Sequence, residues 1–346
     1  MSAPELHEAM LFERREDGSV QCRVCPRRCV IAEGKSGVCR ARLNREGTLY
    51  AVIYGRVCSV AADPIEKKPL YHFFPGTTVL SLGSVGCNFT CRHCQNWQIA
   101  HADATAVARD LRELPVRNLP VLADHNGCRG VAWTYNEPTI WLEYILDGAQ
   151  VAHEHGLYTV MVTNGYITDE ALDVLAPHID AYRVDVKGFS AEAYHELCRI
   201  KDYSPVLRAA KRAKDEFGCH VEIVTNVIPT LNDDDAMLRD LARWVVADLG
   251  PDTPWHVTRF MPYLELAHLP ATPIRTLERA VEIGRDEGLR FVYVGNVPGH
   301  EGENTVCPKC RRLLVRRTGY EIEDVALRGT FCAMCGENVN VRTSVK

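Results

Sequence analysis

Residues 78–97, TVLSLGSVGCNFTCRHCQNW, begin as a β-rich apolar run and end in three cysteines, Cys87, Cys91 and Cys94, in C-x3-C-x2-C spacing. A closed zinc site or an ordinary ferredoxin-type cluster takes four protein ligands, whereas a site built for chemistry leaves one coordination position open. Three thiols in one short loop therefore read either as part of a zinc site or as the ligands of a cluster with a free corner. Where the loop sits in the fold decides between them.

From this first strand outward the pattern repeats. GVAWTY, YTVMVT, AYRVDV, CHVEIVTN, WHVTRF and RFVYV are further apolar strands, and amphipathic stretches such as PTIWLEYILDGAQVAHEHG and DDDAMLRDLARWVVADLG separate them and end in glycine. Alternating strands and helices build a parallel sheet covered by helices. No dinucleotide-type glycine loop follows the first strand, so a partial or full TIM-like (β/α) barrel is favoured over a doubly wound sheet. The strands end in TYNEP, TNGY, DVKG, TNVIP and TRFMPY, which would place polar groups around one mouth together with the cysteine loop. Turn formation alone also explains such residues, but five such endings in step with the loop favour a shared site. Residues 78–298 form the barrel in this reading. Residues 1–77, with cysteines and a hairpin-like stretch, and residues 299–346, ribbon-like, flank it.

With 346 residues and ordinary apolar content, the chain is a folded globular protein. No run approaches the roughly 18 apolar residues of a membrane span, and the start lacks a signal-peptide core, which points to the cytoplasm. A net charge of −5 does not favour a nucleic-acid partner. Fifteen cysteines without an export signal point to metal ligation, not disulfides. Cys58, Cys128, Cys198 and Cys219 read as small buried hydrophobes. Cys307-x2-Cys310 and Cys332-x2-Cys335 approximate a zinc ribbon, with an iron centre as the other reading. Cys22, Cys25, Cys29 and Cys39 are compatible with zinc or with a second four-iron cluster that relays electrons to the central one.

The C-x3-C-x2-C loop after a first barrel strand resembles the signature of the radical S-adenosylmethionine (SAM) superfamily; Thr163-Asn164-Gly165 and Asp185-x-Lys187 resemble elements of its pyruvate formate-lyase activating enzyme branch, and the stretches at residues 22–42, 63–97 and 291–310 together resemble the radical member of the AmmeMemoRadiSam system. The resemblance implies a [4Fe–4S] cluster on Cys87, Cys91 and Cys94 and reductive cleavage of SAM. The 5′-deoxyadenosyl radical so formed would abstract hydrogen from a small molecule or a protein. It also assigns cofactor contacts. His93 would pack on the adenine. Asn136 and Glu137 stand where the family binds the methionyl ammonium. Thr163, Asn164, Asp185 and Lys187 would lie near the methionine moiety, and Asn226 and Arg259 would meet ribose and polar groups. Reduced flavodoxin or ferredoxin is the implied electron donor, and Memo-like and AMMECR-like proteins are candidate partners. The rival reading is a non-catalytic metal-binding adaptor that docks partners through its terminal cysteine groups.

Overall fold

Each apolar run becomes a strand of one sheet. The computed structural model describes residues 6–107 and 110–345. The strands are β1 (Ser59–Pro64), β2 (Thr78–Gly83), β3 (Gly130–Trp133), β4 (Tyr158–Thr163), β5 (Ala181–Asp185), β6 (His220–Val227), β7 (Trp255–Arg259) and β8 (Val292–Gly295). They lie side by side in chain order, β2 to β8 mutually parallel and β1 antiparallel to β2. The end strands β8 and β1 do not pair with each other, so the barrel is partial. Strands β3 and β4 are buried at every position, because helices cover one face and the interior packing covers the other.

The crossovers carry helices α1 (Leu119–His125), α2 (Leu142–Glu154), α3 (Asp169–Leu175), α4 (Ala191–Cys198), α5 (Ser204–Asp215), α6 (Asp235–Trp244) and α7 (Ile274–Asp286). Their starts are set by local chemistry. The side chains of Thr168, Ser190 and Asp234 accept the free N–H groups of Ala171, Ala193 and Met237 at the first turns of α3, α4 and α6. After α6 the chain continues through a wide turn, Val245–Leu249, and stops at Gly250.

Residues 65–74 fill the barrel from the end opposite the cysteine loop. Ile65, Leu70, Phe73 and Phe74 pack with Val79, Ala132, Val160 and Val162 in one apolar cluster. Beside it lies a buried polar knot around Glu222 of β6. Its carboxylate accepts the backbone N–H groups of Tyr71 (3.1 Å) and His72 (2.8 Å) and the imidazoles of His220 (2.9 Å) and His256 (2.6 Å).

The stretch GTLYAVIYGRVCSVAAD, expected as a hairpin, is divided among three sheets. Thr48–Ala51 pairs with Arg42–Arg45, Arg56–Val57 pairs with Arg112–Glu113, and the remainder becomes β1 of the barrel. At the other end, β9 (Leu313–Thr318) and β10 (Glu321–Val325) form an antiparallel ribbon whose Arg317 reaches the interior and donates to the Tyr71 carbonyl at 3.1 Å. No helix among the described residues is long and apolar enough to cross a membrane.

Candidate active site and metal centres

The loop at the end of β2 is held by its neighbours before any ligand is considered. Gly86 has φ +90°, and a Cβ there would stand 2.4 Å from the Cys39 carbonyl oxygen. Only glycine allows that approach. Asn136, in the loop after β3, accepts the Ser84 N–H at 3.1 Å and donates to the Gly86 carbonyl at 3.0 Å, clamping both ends of the turn. Gly86→Ala is therefore expected to lower stability by about 2 kcal/mol or more, combining left-handed strain with overpacking. A urea midpoint checks it, and an unchanged midpoint would contradict the clamp.

Two donors already face Cys87 Sγ: the Phe89 N–H at 3.4 Å and the Asn164 amide at 4.0 Å. Asn164 is itself fixed, donating to Asn88 Oδ1 at 2.8 Å and accepting from the Tyr166 N–H. Such donors pull toward the thiolate, but burial, then the Glu137 carboxylate, outweigh them and raise the Cys87 pKa well above the ordinary thiol range. His93 is 7% exposed; burial, then Lys187, lowers its pKa to about 3, leaving a neutral ring whose Nδ1 has no partner.

The remaining sequence-derived residues stand at consecutive strand ends, on the same edge of the sheet as the loop. Glu137 is 2% exposed, and its carboxylate accepts from the Thr139 N–H (2.9 Å), the Thr163 hydroxyl (2.6 Å) and the Asn164 N–H (2.8 Å). It thus caps the turn at Pro138 and ties the ends of β3 and β4 together. Burial raises its pKa against the pull of these donors. Asp185 bridges Arg183 and Lys187, the latter at 2.9 Å. Burial alone would raise its pKa, but the two cations outweigh it and hold it at about 2. Asn226 donates to the carbonyl and hydroxyl of Thr258, and Arg259 Nε donates to the Thr272 carbonyl at 2.9 Å.

One thiol at the site was not singled out by sequence. Cys198, the last residue of α4, is fully buried as expected, but its Sγ lies 3.6 Å from Cys91 Sγ. The partners are 107 positions apart, and no local pattern marks them.

The three cysteine groups differ in how tightly they close. The C-terminal quartet brings all its ligand atoms within 4.8 Å of one another, with Cys307–Cys335 and Cys310–Cys332 at 3.6 and 3.7 Å. A tetrahedral ion with Zn–S bonds of about 2.3 Å requires sulfurs about 3.8 Å apart. The quartet therefore fits one ion. Cys87, Cys91 and Cys94 do not draw together in that way, although all three belong to one loop. Their spread and their donor chemistry fit a polynuclear cluster with three protein ligands.

A partial parallel barrel with such a loop at the end of its first parallel strand, ringed by polar strand ends, has the layout of a barrel protein with its site at the mouth. Comparison with known proteins gives the family. Residues 82–242 match the model of the Radical SAM superfamily. "Uncharacterized protein MJ0808" of Methanocaldococcus jannaschii is 43% identical, covering 97% of this chain and 99% of that one. A pyruvate formate-lyase-activating enzyme of Clostridium pasteurianum is 26% identical over 45% of this chain and 65% of its own. A radical SAM methyltransferase from Sphaerobacter thermophilus shares the fold, with a TM-score of 0.50 at 17% identity, over 67% of this chain and 71% of that one. The chain belongs to the radical SAM superfamily.

Proposed function

We propose that the chain binds SAM at the barrel mouth and cleaves it reductively with a [4Fe–4S] cluster on Cys87, Cys91 and Cys94, abstracting hydrogen from a substrate. The observation that carries this is the spread trio of thiols at the strand edge that also bears Glu137, Thr163, Asn164, Asp185, Lys187, Asn226 and Arg259. When bound, the cluster and SAM together supply the electron and the radical. The chain's own groups do the positioning. Lys187, charged and held by Asp185, offers a donor to a carboxylate. Glu137 keeps the loops after β3 and β4 in register, with spare acceptor capacity for an ammonium. His93 presents a neutral ring to a base. Because residues 65–74 fill the opposite end, substrate enters from the mouth.

Similarity to an activating enzyme supports placement of a glycyl radical on a protein; a small-molecule substrate is the second reading. The closed C-terminal quartet supports structural zinc there. Reduced flavodoxin or ferredoxin as donor, and Memo-like and AMMECR-like companions, complete the proposal.

The test is anaerobic reconstitution with iron and sulfide, reduction by dithionite, and assay of 5′-deoxyadenosine. Formation of the nucleoside supports the reading. A fully loaded protein that binds SAM and never cleaves it, even with the companions present, supports the adaptor instead. Cys198 gives a separate prediction. In the structure the Cys91 thiol donates to Cys198; with Cys91 ligating as a thiolate, the Cys198 S–H would become the donor and stabilise the reduced cluster, so Cys198→Ala is expected to make the cluster's potential more negative with the iron count unchanged. A spectroelectrochemical titration reads this, and an unmoved potential contradicts it.

A further inference from the structure

Cys22, Cys25, Cys29 and Cys39 all line one cavity, shared with Arg42, Arg27, Asn88 and Ile140. The four thiols converge on common space but do not close on it. No three of them come within the 4.8 Å that the C-terminal quartet achieves. A zinc ion would need the closed arrangement; a cubane, with ligands on four separate irons, needs the open one.

A second observation points into the same space. Arg42 is 2% exposed, and its Nη atoms grip Glu143 at 2.9 and 2.8 Å, yet its Nε has no partner. A buried N–H without an acceptor is costly. Cluster sulfur in this cavity would accept it.

The cavity also adjoins the catalytic loop. Asn88, the residue after Cys87, forms part of its wall and accepts from Arg27 Nε at 2.8 Å, while the Cys39 carbonyl abuts Gly86. On the far side, Val38 lines the cavity and is 45% exposed. The site is thus one residue from solvent on one side and one residue from the catalytic thiols on the other.

We propose that Cys22, Cys25, Cys29 and Cys39 hold a second [4Fe–4S] cluster that relays single electrons from a low-potential donor protein to the cluster on Cys87, Cys91 and Cys94. One electron enters from the reduced donor and one leaves to the catalytic cluster; no bond forms or breaks at the relay. The relay role rests on the proposed function, whereas occupancy of the site does not.

The decisive protein is the full chain with Cys87, Cys91 and Cys94 all replaced by alanine, reconstituted anaerobically with iron and sulfide. It is expected to keep about four irons and four sulfides, against about eight of each in wild type, with a reducible cluster signal in electron paramagnetic resonance. Adding Cys29→Ser should remove them. Zinc in place of iron, or no metal beyond the C-terminal ion, overturns the proposal. If the triple variant does not fold, judged by circular dichroism and C-terminal zinc, Mössbauer spectra of wild type decide: two inequivalent cubanes support it, and one overturns it. For the relay, Cys29→Ser should lose SAM cleavage driven by reduced flavodoxin at least tenfold more than cleavage driven by dithionite. Equal losses make the site structural. Absence of cleavage in wild type would sink the proposed function and leave the iron count as evidence for the site.

Discussion

Cys87→Ala is expected to reduce 5′-deoxyadenosine formation to background, a loss of about a thousandfold or more, equivalent to about 4 kcal/mol of barrier. The size follows from position. Cys87 is the ligand nearest the rigid turn at Gly86, and the Phe89 and Asn164 donors are aimed at its sulfur. Among the described residues its sulfur makes no thiol–thiol hydrogen bond, whereas Cys91 Sγ lies 3.6 Å from Cys198 Sγ. The control is Cys128→Ala. Cys128 is buried, but its thiol meets the Asn126 carbonyl at 3.8 Å, away from the loop, and its loss should change cleavage by no more than about twofold. Parallel assays with iron analysis separate the two. A Cys87→Ala protein that still turned over would place the cluster elsewhere.

The largest effect on stability is expected at Glu222. Glu222→Gln should cost about 3–5 kcal/mol, because four donors converge on the carboxylate and an amide can satisfy only some of them while adding donors of its own. Thermal or urea unfolding measures it, and a change below about 1 kcal/mol would contradict the knot's role. The pH dependence has a definite sign. Burial opposes ionisation of Glu222, but the His220 and His256 hydrogen bonds outweigh it and hold its pKa below the usual carboxylate range. Its contribution is therefore present above about pH 4 and lost as acid titrates it. Burial also lowers His256, and takes His72 to about 3, so both bind protons less readily in the fold than in the unfolded chain, where imidazoles take them up below about pH 6.5. Stability should fall on acidification from that point and steepen below pH 4. Glu222→Gln removes the lower part of the slope only.

The seven parallel strands were legible because strands covered on both faces are written as unbroken apolar runs, TVLSLG and YTVMVT among them. The polar residues at their ends were legible for the complementary reason: a loop beginning at a barrel mouth must be wet. The cysteine groups could be read from spacing, but spacing does not measure how far a group closes. That came only from the fold, which distinguishes Cys307 and its partners from Cys22 and its partners. Asn136 illustrates a different limit. Its position pointed to the cofactor, and the structure shows it clamping Ser84 and Gly86, a long-range job that one sequence does not mark. Cys198 and Glu222 were hidden similarly. One reads as a helical apolar position and the other as the polar residue of CHVEIVTN, and their partners come from distant segments.

Arg342 donates its N–H to the His72 carbonyl at 2.7 Å and accepts from the Phe74 N–H at 2.8 Å, while Arg317 holds the carbonyl of Tyr71. These joins fasten residues 71–74 to segments about 250 positions later in the chain. During synthesis, all the barrel strands leave the ribosome before the pieces that fasten its inner packing. The inner packing of the barrel is therefore completed only after the ribbon has been translated, and where the C-terminal quartet holds an ion, its capture would be a late event in folding that fastens the ribbon in place.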